Sequence, residues 1–190
     1  DPIRVGDTYY MASTTMYLLP GCVILRSYDL MHWETAAYVY DELDDTPSQR
    51  LDGGEIYGKG MWAASLRYHN GKFYIIFICN DTQKTYLYTA ENIEGPWEKR
   101  NIEGFYHDCS LLFDDDGRVY LISGCGEIRL IELKPDLSGR LPGGKDRIIV
   151  RETAPHRLGY EGAHFYKLFG RYYAFFIHMP TDAPVSRTNA

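Results

Sequence analysis

The sequence is short of cysteine, of positive charge and of long apolar runs, and each shortage removes a class of protein. Its four cysteines, Cys22, Cys79, Cys109 and Cys125, show no CxxC spacing and lie in or beside hydrophobic runs. They read as buried free thiols, not as a disulfide framework or a zinc site. Lys and Arg number 20 against 26 Asp and Glu, a net charge of -6. No cluster of cations is present, which argues against a nucleic-acid partner, since phosphate binding depends on one. No stretch approaches the roughly 18 apolar residues of a membrane span, and no basic-then-apolar leader opens the chain. The expectation is a soluble protein with no membrane partner, cytoplasmic, or secreted or periplasmic where a leader has been removed. Helical periodicity is missing throughout. There is no HExxH and no Walker loop, and "GCGEIR" at Gly124 lacks the third glycine of a dinucleotide motif. "HDC" from His107 to Cys109 lacks the spaced ligands of a zinc centre.

What is abundant is aromatic: 15% of the 190 residues, with Tyr at 17. Rings of this kind favour strands and offer flat faces for binding. Four segments repeat one pattern, a short apolar strand, a turn ending in glycine, then an aromatic strand. They are "IRVGDTYYMAS" from Ile3, "LRYHNGKFYIIFI" from Leu66, "LLFDDDGRVYLIS" from Leu111 and "HFYKLFGRYYAFFI" from His164. Gly6, Gly71, Gly117 and Gly170 supply the left-handed backbone that such hairpins require. Weaker strands such as "CVILRSYD" and "TYLYTAENIEGPWEKR" lie between them. Each unit therefore reads as four strands over about 45 to 65 residues, the length of a propeller blade. A β-sandwich would also have short strands, but it would not repeat one hairpin at this spacing. The expectation is an all-β propeller occupying residues 1–190 as one domain.

The first strand of each blade lines a propeller's channel, so residues just before it converge on one rim. Nine positions before three of the hairpin glycines stand Trp62, Asp108 and Glu161. Taken singly, a Glu beside Gly, an Asp before a strand and a Trp among small residues are a solvated turn, a turn acceptor and a core ring. Their common phase points elsewhere. Two carboxylates beside an aromatic platform supply what glycosidic bond hydrolysis uses: an acid for the leaving oxygen, an ionised partner and a flat face for the sugar. Glu161, between Tyr160 and the apolar "AHFY", is expected to have its pKa raised by partial desolvation, and Asp108 to raise it further as a modulator.

The segments "DPIRVGDTYYMASTTM", "SYDLMHWE", "GKGMWAASLRYHNGKFY", "HDCSLLFDDDGRVYL" and "EGAHFYKLFGRYY" together resemble glycoside hydrolase family 43. These are five-bladed β-propellers that include β-xylosidases and α-L-arabinofuranosidases. The resemblance runs in order along essentially the whole chain. It implies an inverting glycosidase with Glu161 as general acid, Asp108 as the pKa-modulating aspartate and a first-blade Asp as general base, while Trp62 is expected against the substrate from its phase. It requires no cofactor, allows a central structural cation, and makes the substrate an oligosaccharide or polysaccharide derived from xylan, arabinoxylan or arabinan. Asp1, followed by Pro2, stands five residues before Gly6, where the family's base stands about seven before. Asp1 would then face the same side but sit roughly 6 to 7 Å along the strand. Either Asp1 is the base on a shortened strand, or the base lies upstream of residue 1. About four of the five blades are represented. The chain is thus expected to be a fragment lacking the C-terminal blade, with little or no activity when isolated. A noncatalytic propeller binding carbohydrate or protein is the alternative. A retaining fructosidase-type propeller would ordinarily carry Arg-Asp-Pro in its middle blade, where this chain has His107, Asp108 and Cys109.

Overall fold

The computed structural model describes residues 2–181 and 188–189. Among these every regular element is a strand, and no helix is long and apolar enough to cross a membrane. The strands form three four-stranded sheets and one three-stranded sheet, all antiparallel meanders in chain order. Two compact units result, Asp1–Phe105 and Tyr106–Ala190.

In the first unit, β1 (Pro2–Val5), β2 (Thr8–Ser13), β3 (Gly21–Ser27) and β4 (Glu34–Tyr40) make one sheet. A second is made by β5 (Met61–His69), β6 (Lys72–Cys79), β7 (Lys84–Ala90) and β8 (Glu98–Ile102). The β5–β6 hairpin closes on His69 opposite Lys72, leaving Asn70 and Gly71 as a two-residue loop at φ 48° and 80°. Two consecutive left-handed residues define the primed turn whose twist matches the flanking strands, which is why "HNG" is so strong a signal. β6, "KFYIIFIC", is apolar without alternation because both of its faces are covered, so nearly every residue is buried. The rings of Tyr40, Phe77, Tyr86 and Tyr88 fill the unit's core, with Phe77 and Tyr88 stacked at 5.7 Å and 13°. The "SYDLMHWE" segment is a turn held by its own side chains: Asp29 Oδ1 accepts the N–H groups of Met31 and His32, each at 2.8 Å.

In the second unit, β9 (Ser110–Phe113), β10 (Val119–Ser123), β11 (Glu127–Leu133) and β12 (Asp146–Arg151) form one sheet. The other contains β13 (His156–Leu168), β14 (Arg171–Pro180) and β15 (Thr188–Asn189). Leu112, Tyr120, Ile122, Ile128 and Leu130 pack with Ala163, Phe165 and Phe176 in one buried cluster. A polar bridge accompanies this packing. The fully buried Asp114 carboxylate accepts hydrogen bonds from the Lys167 ammonium and the Tyr172 hydroxyl, and Lys167 also reaches Asp115 at 3.0 Å. Burial pushes the Asp114 carboxyl up, but the bonds from Lys167, Tyr172 and the Asp115 backbone N–H together outweigh it and hold the group below its ordinary value. Asp114→Asn keeps the shape and removes the charge, with an expected loss of about 2 kcal/mol, the usual worth of hydrogen bonds to a charged group. A depressed folded pKa stabilises above the unfolded value and ceases to do so as pH falls through the folded one. The difference between parent and variant in urea unfolding should therefore be full at neutral pH and shrink below about pH 4.

Candidate active site

All four hairpin glycines are left-handed, with φ of 60°, 80°, 83° and 73° for Gly6, Gly71, Gly117 and Gly170. The residues nine positions before three of them are not all outside the strands, however. Asp108 precedes β9, whereas Trp62 lies inside β5 and Glu161 inside β13. Both strands continue across an irregularity: pairing slips between Trp62 and Ser65, and again on either side of Glu161. At each slip a left-handed residue follows the candidate, Ala63 at φ 42° and Gly162 at φ 63°.

The slip decides which way the side chain faces. In β13 Tyr160, Ala163 and Phe165 all pack toward the buried cluster. Strict alternation would send Glu161 to the side of Ala163 and Phe165. The extra residue at Gly162 reverses that parity, so that Tyr160 turns inward and Glu161 is turned away from the core. β5 repeats the device with the same spacing: Met61, Ala64 and Leu66 pack on the first unit's core and the bulge falls at Ala63. Trp62, half-buried, donates its ring N–H to the Gly58 carbonyl at 3.1 Å. For Trp62 and Glu161 the common phase seen in the sequence is thus the phase of a bulge in the first strand of two sheets, β5 and β13.

The structure brings Asp108 and Glu161 together. Asp108, itself left-handed at φ 46°, is buried, and its Oδ2 accepts the N–H of Gly162 at 2.9 Å. The aspartate therefore fixes the bulge that aims the glutamate. Two residues on, Ser110 Oγ accepts the N–H of Phe165 at 3.0 Å, a second tie between β9 and β13. His107 stands between the carboxylates, its Nε2 3.7 Å from Asp108 Oδ1 and 3.9 Å from Glu161 Oε2. Asp1, the candidate base, lies outside the described residues.

One sequence expectation is corrected. Cys22, Cys79 and Cys109 are buried free thiols, but Cys125 is exposed, and its thiol donates to Glu161 Oε2 at 3.5 Å. Flanking glycines explain the difference. Gly124 and Gly126 have φ of 139° and 72° and carry the chain through a turn between β10 and β11, outside the hydrophobic run. Burial of its sulfur, then the charge and hydrogen bond of Glu161, then the charge of Asp108, push the Cys125 thiol up. The signal for its location was available in the ladder: Ser110 pairs with Ile122, so the turn after β10 opens at the same end as the segment before β9. A cavity of about 290 Å³ elsewhere in this unit, bordered by Arg118, Tyr120, Arg147 and Phe165, contains neither carboxylate of the pair.

Residues 1–188 match Glycosyl hydrolases family 43. The chain belongs to that family. It is 32% identical over 178 residues to a non-reducing end α-L-arabinofuranosidase of Bacteroides ovatus, covering 90% of this chain and 32% of the relative. It is likewise 32% identical over 193 residues to a β-xylosidase of Bacillus subtilis, covering 90% and 34%. Among solved structures, one described as a bifunctional GH43-CE of Bacteroides eggerthii superposes with a TM-score of 0.92 at 44% identity, covering 99% of this chain and 25% of that one. The chain thus spans about a third of the length of the curated relatives it matches. Family 43 membership makes the fold that of an all-β five-bladed propeller, with the four meander sheets as four of its blades.

Proposed function

We propose that this family 43 chain belongs to an inverting glycoside hydrolase that cleaves xylosyl or arabinofuranosyl linkages of hemicellulose, with Glu161 as general acid. The observation that carries the reading is the bond from Gly162 N–H to Asp108 Oδ2, which ties a buried aspartate to the strand irregularity that follows Glu161. Names of relatives, an arabinofuranosidase and a β-xylosidase among them, support pentosyl substrates.

In the proposed step, protonated Glu161 gives its proton to the glycosidic oxygen as the bond from that oxygen to the anomeric carbon breaks. A water attacks the same carbon from the opposite face and loses a proton to a second carboxylate, for which Asp1 is this chain's candidate. Glu161 ends ionised and the base protonated, so one water is added across the bond and the anomeric configuration inverts. Both proton transfers run on carboxyl groups, and the chemistry calls for no cofactor. Asp108 acts by holding the bulge and by placing negative charge near the acid, and Trp62 offers its ring face to a sugar.

The test is to give the full-length protein aryl xyloside and aryl arabinofuranoside and to follow the first-formed sugar by NMR. Turnover with the anomer opposite to that of the substrate is expected. Retention would remove the proposed mechanism. Sugar binding without turnover would leave a noncatalytic propeller.

A further inference from the structure

We propose that His107, Cys125 and Glu161 form a site for one borderline-soft divalent cation of the zinc class, and that the cation excludes substrate chemistry by occupying the carboxylate of Glu161. Three donors of three kinds meet here from three separate segments, with their ligand atoms all within 4.8 Å of one another. Cys125 Sγ is 3.5 Å and His107 Nε2 is 3.9 Å from Glu161 Oε2. A tetrahedral zinc with bonds of about 2.0 to 2.3 Å holds adjacent donors roughly 3.3 to 3.8 Å apart. The donors therefore need to close by no more than about 1.5 Å, a side-chain adjustment.

The backbone around the thiol is built to keep it there. Gly124, on one side of Cys125, donates its N–H to the carbonyl of His107 at 2.9 Å. Gly126, on the other side, donates to the carbonyl of Tyr160, the neighbour of Glu161, at 2.8 Å. Neither glycine tolerates a side chain easily: a Cβ on Gly124 would meet the Glu127 carbonyl oxygen at 2.0 Å, and Gly126 sits at φ 72°, a backbone that residues with side chains rarely adopt. The segment bearing the thiol is consequently laced to the segments bearing the other two donors, which reduces the ordering that metal binding must impose.

Charge and softness select the ion. A thiolate, an imidazole and a carboxylate carry two negative charges toward a divalent ion. Asp108 adds a third nearby, its Oδ1 3.7 Å from His107 Nε2. A set with sulfur, nitrogen and a single close carboxylate suits zinc or cobalt, and not calcium or magnesium, which ask for several oxygens. Only the inhibitory half of the proposal rests on Glu161 being the acid; the binding half rests on the donor geometry alone.

The experiment titrates the full-length, metal-stripped protein with cobalt(II) and records its absorption, then repeats hydrolysis assays with zinc. One equivalent of cobalt is expected to give thiolate-to-metal charge-transfer absorption and the visible bands of a four-coordinate ion. Cys125→Ser should abolish the former, and His107→Gln should weaken binding. Zinc should inhibit the parent and EDTA restore it. In Cys125→Ser, half-inhibition relative to that variant's own metal-free rate should need at least about 10-fold more zinc. Cobalt spectra without a thiolate band, or with one unchanged in Cys125→Ser, would overturn the site. Equal zinc sensitivity of parent and Cys125→Ser would overturn the inhibition. A thiolate–cobalt signature in a protein with no hydrolase activity would support the site while removing the catalytic reading of Glu161.

Discussion

Glu161→Gln in the full-length protein is expected to lower kcat/KM by roughly 10² to 10⁴ on xylosides and arabinofuranosides with alkyl leaving groups, the customary worth of general acid catalysis. The amide keeps the size of the carboxyl and can still accept the hydrogen bond from the Cys125 thiol, but it has no proton to give. A nitrophenolate departs without one, so activated aryl substrates should lose far less. The diagnostic is the ratio between the two substrate classes measured on one enzyme preparation. A uniform loss on both would reassign Glu161 to binding.

Asp108 is expected to show the second large effect, and two substitutions separate its roles. Asp108→Asn keeps an oxygen able to accept the Gly162 N–H while discarding the charge; Asp108→Ala discards both. With the bulge released, the acid no longer points where the leaving oxygen sits, and misplacement of about 1 Å is enough to cost roughly 10²-fold in rate. Alanine should therefore fall at least about 10²-fold below the parent in kcat, and asparagine should recover part of that loss with KM little changed. Equal rates for the two variants would show that the hydrogen bond positions nothing and that the charge alone matters.

The hairpins were legible because their turns are local. Asn70 with Gly71 needs only its own backbone to specify a primed turn, and "DDDG" encodes a loop in which Gly117 N–H returns to the Asp114 carbonyl. The bulges were only half legible. Gly162 hints at one, but Ala63 is an alanine held at φ 42° with its N–H on Thr14 Oγ1, a contact 49 residues away in sequence that no local pattern announces. The sequence reading therefore set the candidates before their strands, when two of the three lie within them. Cys125 was misread for a related reason. Neighbouring apolar residues suggest burial, yet the flanking glycines turn the chain out of the sheet, and only the pairing of β9 with β10 shows that this turn faces Glu161. His107 was dismissed with "HDC" as a metal motif because its companions, Cys125 and Glu161, are 18 and 54 residues further along the chain.

A carboxylate whose direction depends on a surplus residue is encoded by parity, and that parity holds only while the surplus residue stays looped out of the pairing. Pairing every residue of this stretch in a regular ladder would put Glu161 on the side that Ala163 and Phe165 occupy and turn Tyr160 outward, whereas deleting Gly162 would take out the surplus residue and leave Glu161 facing as it does. The vulnerability of this site therefore lies in whatever favours regular pairing over the bulge, a side chain at Gly162 or the loss of the Asp108 bond that holds it.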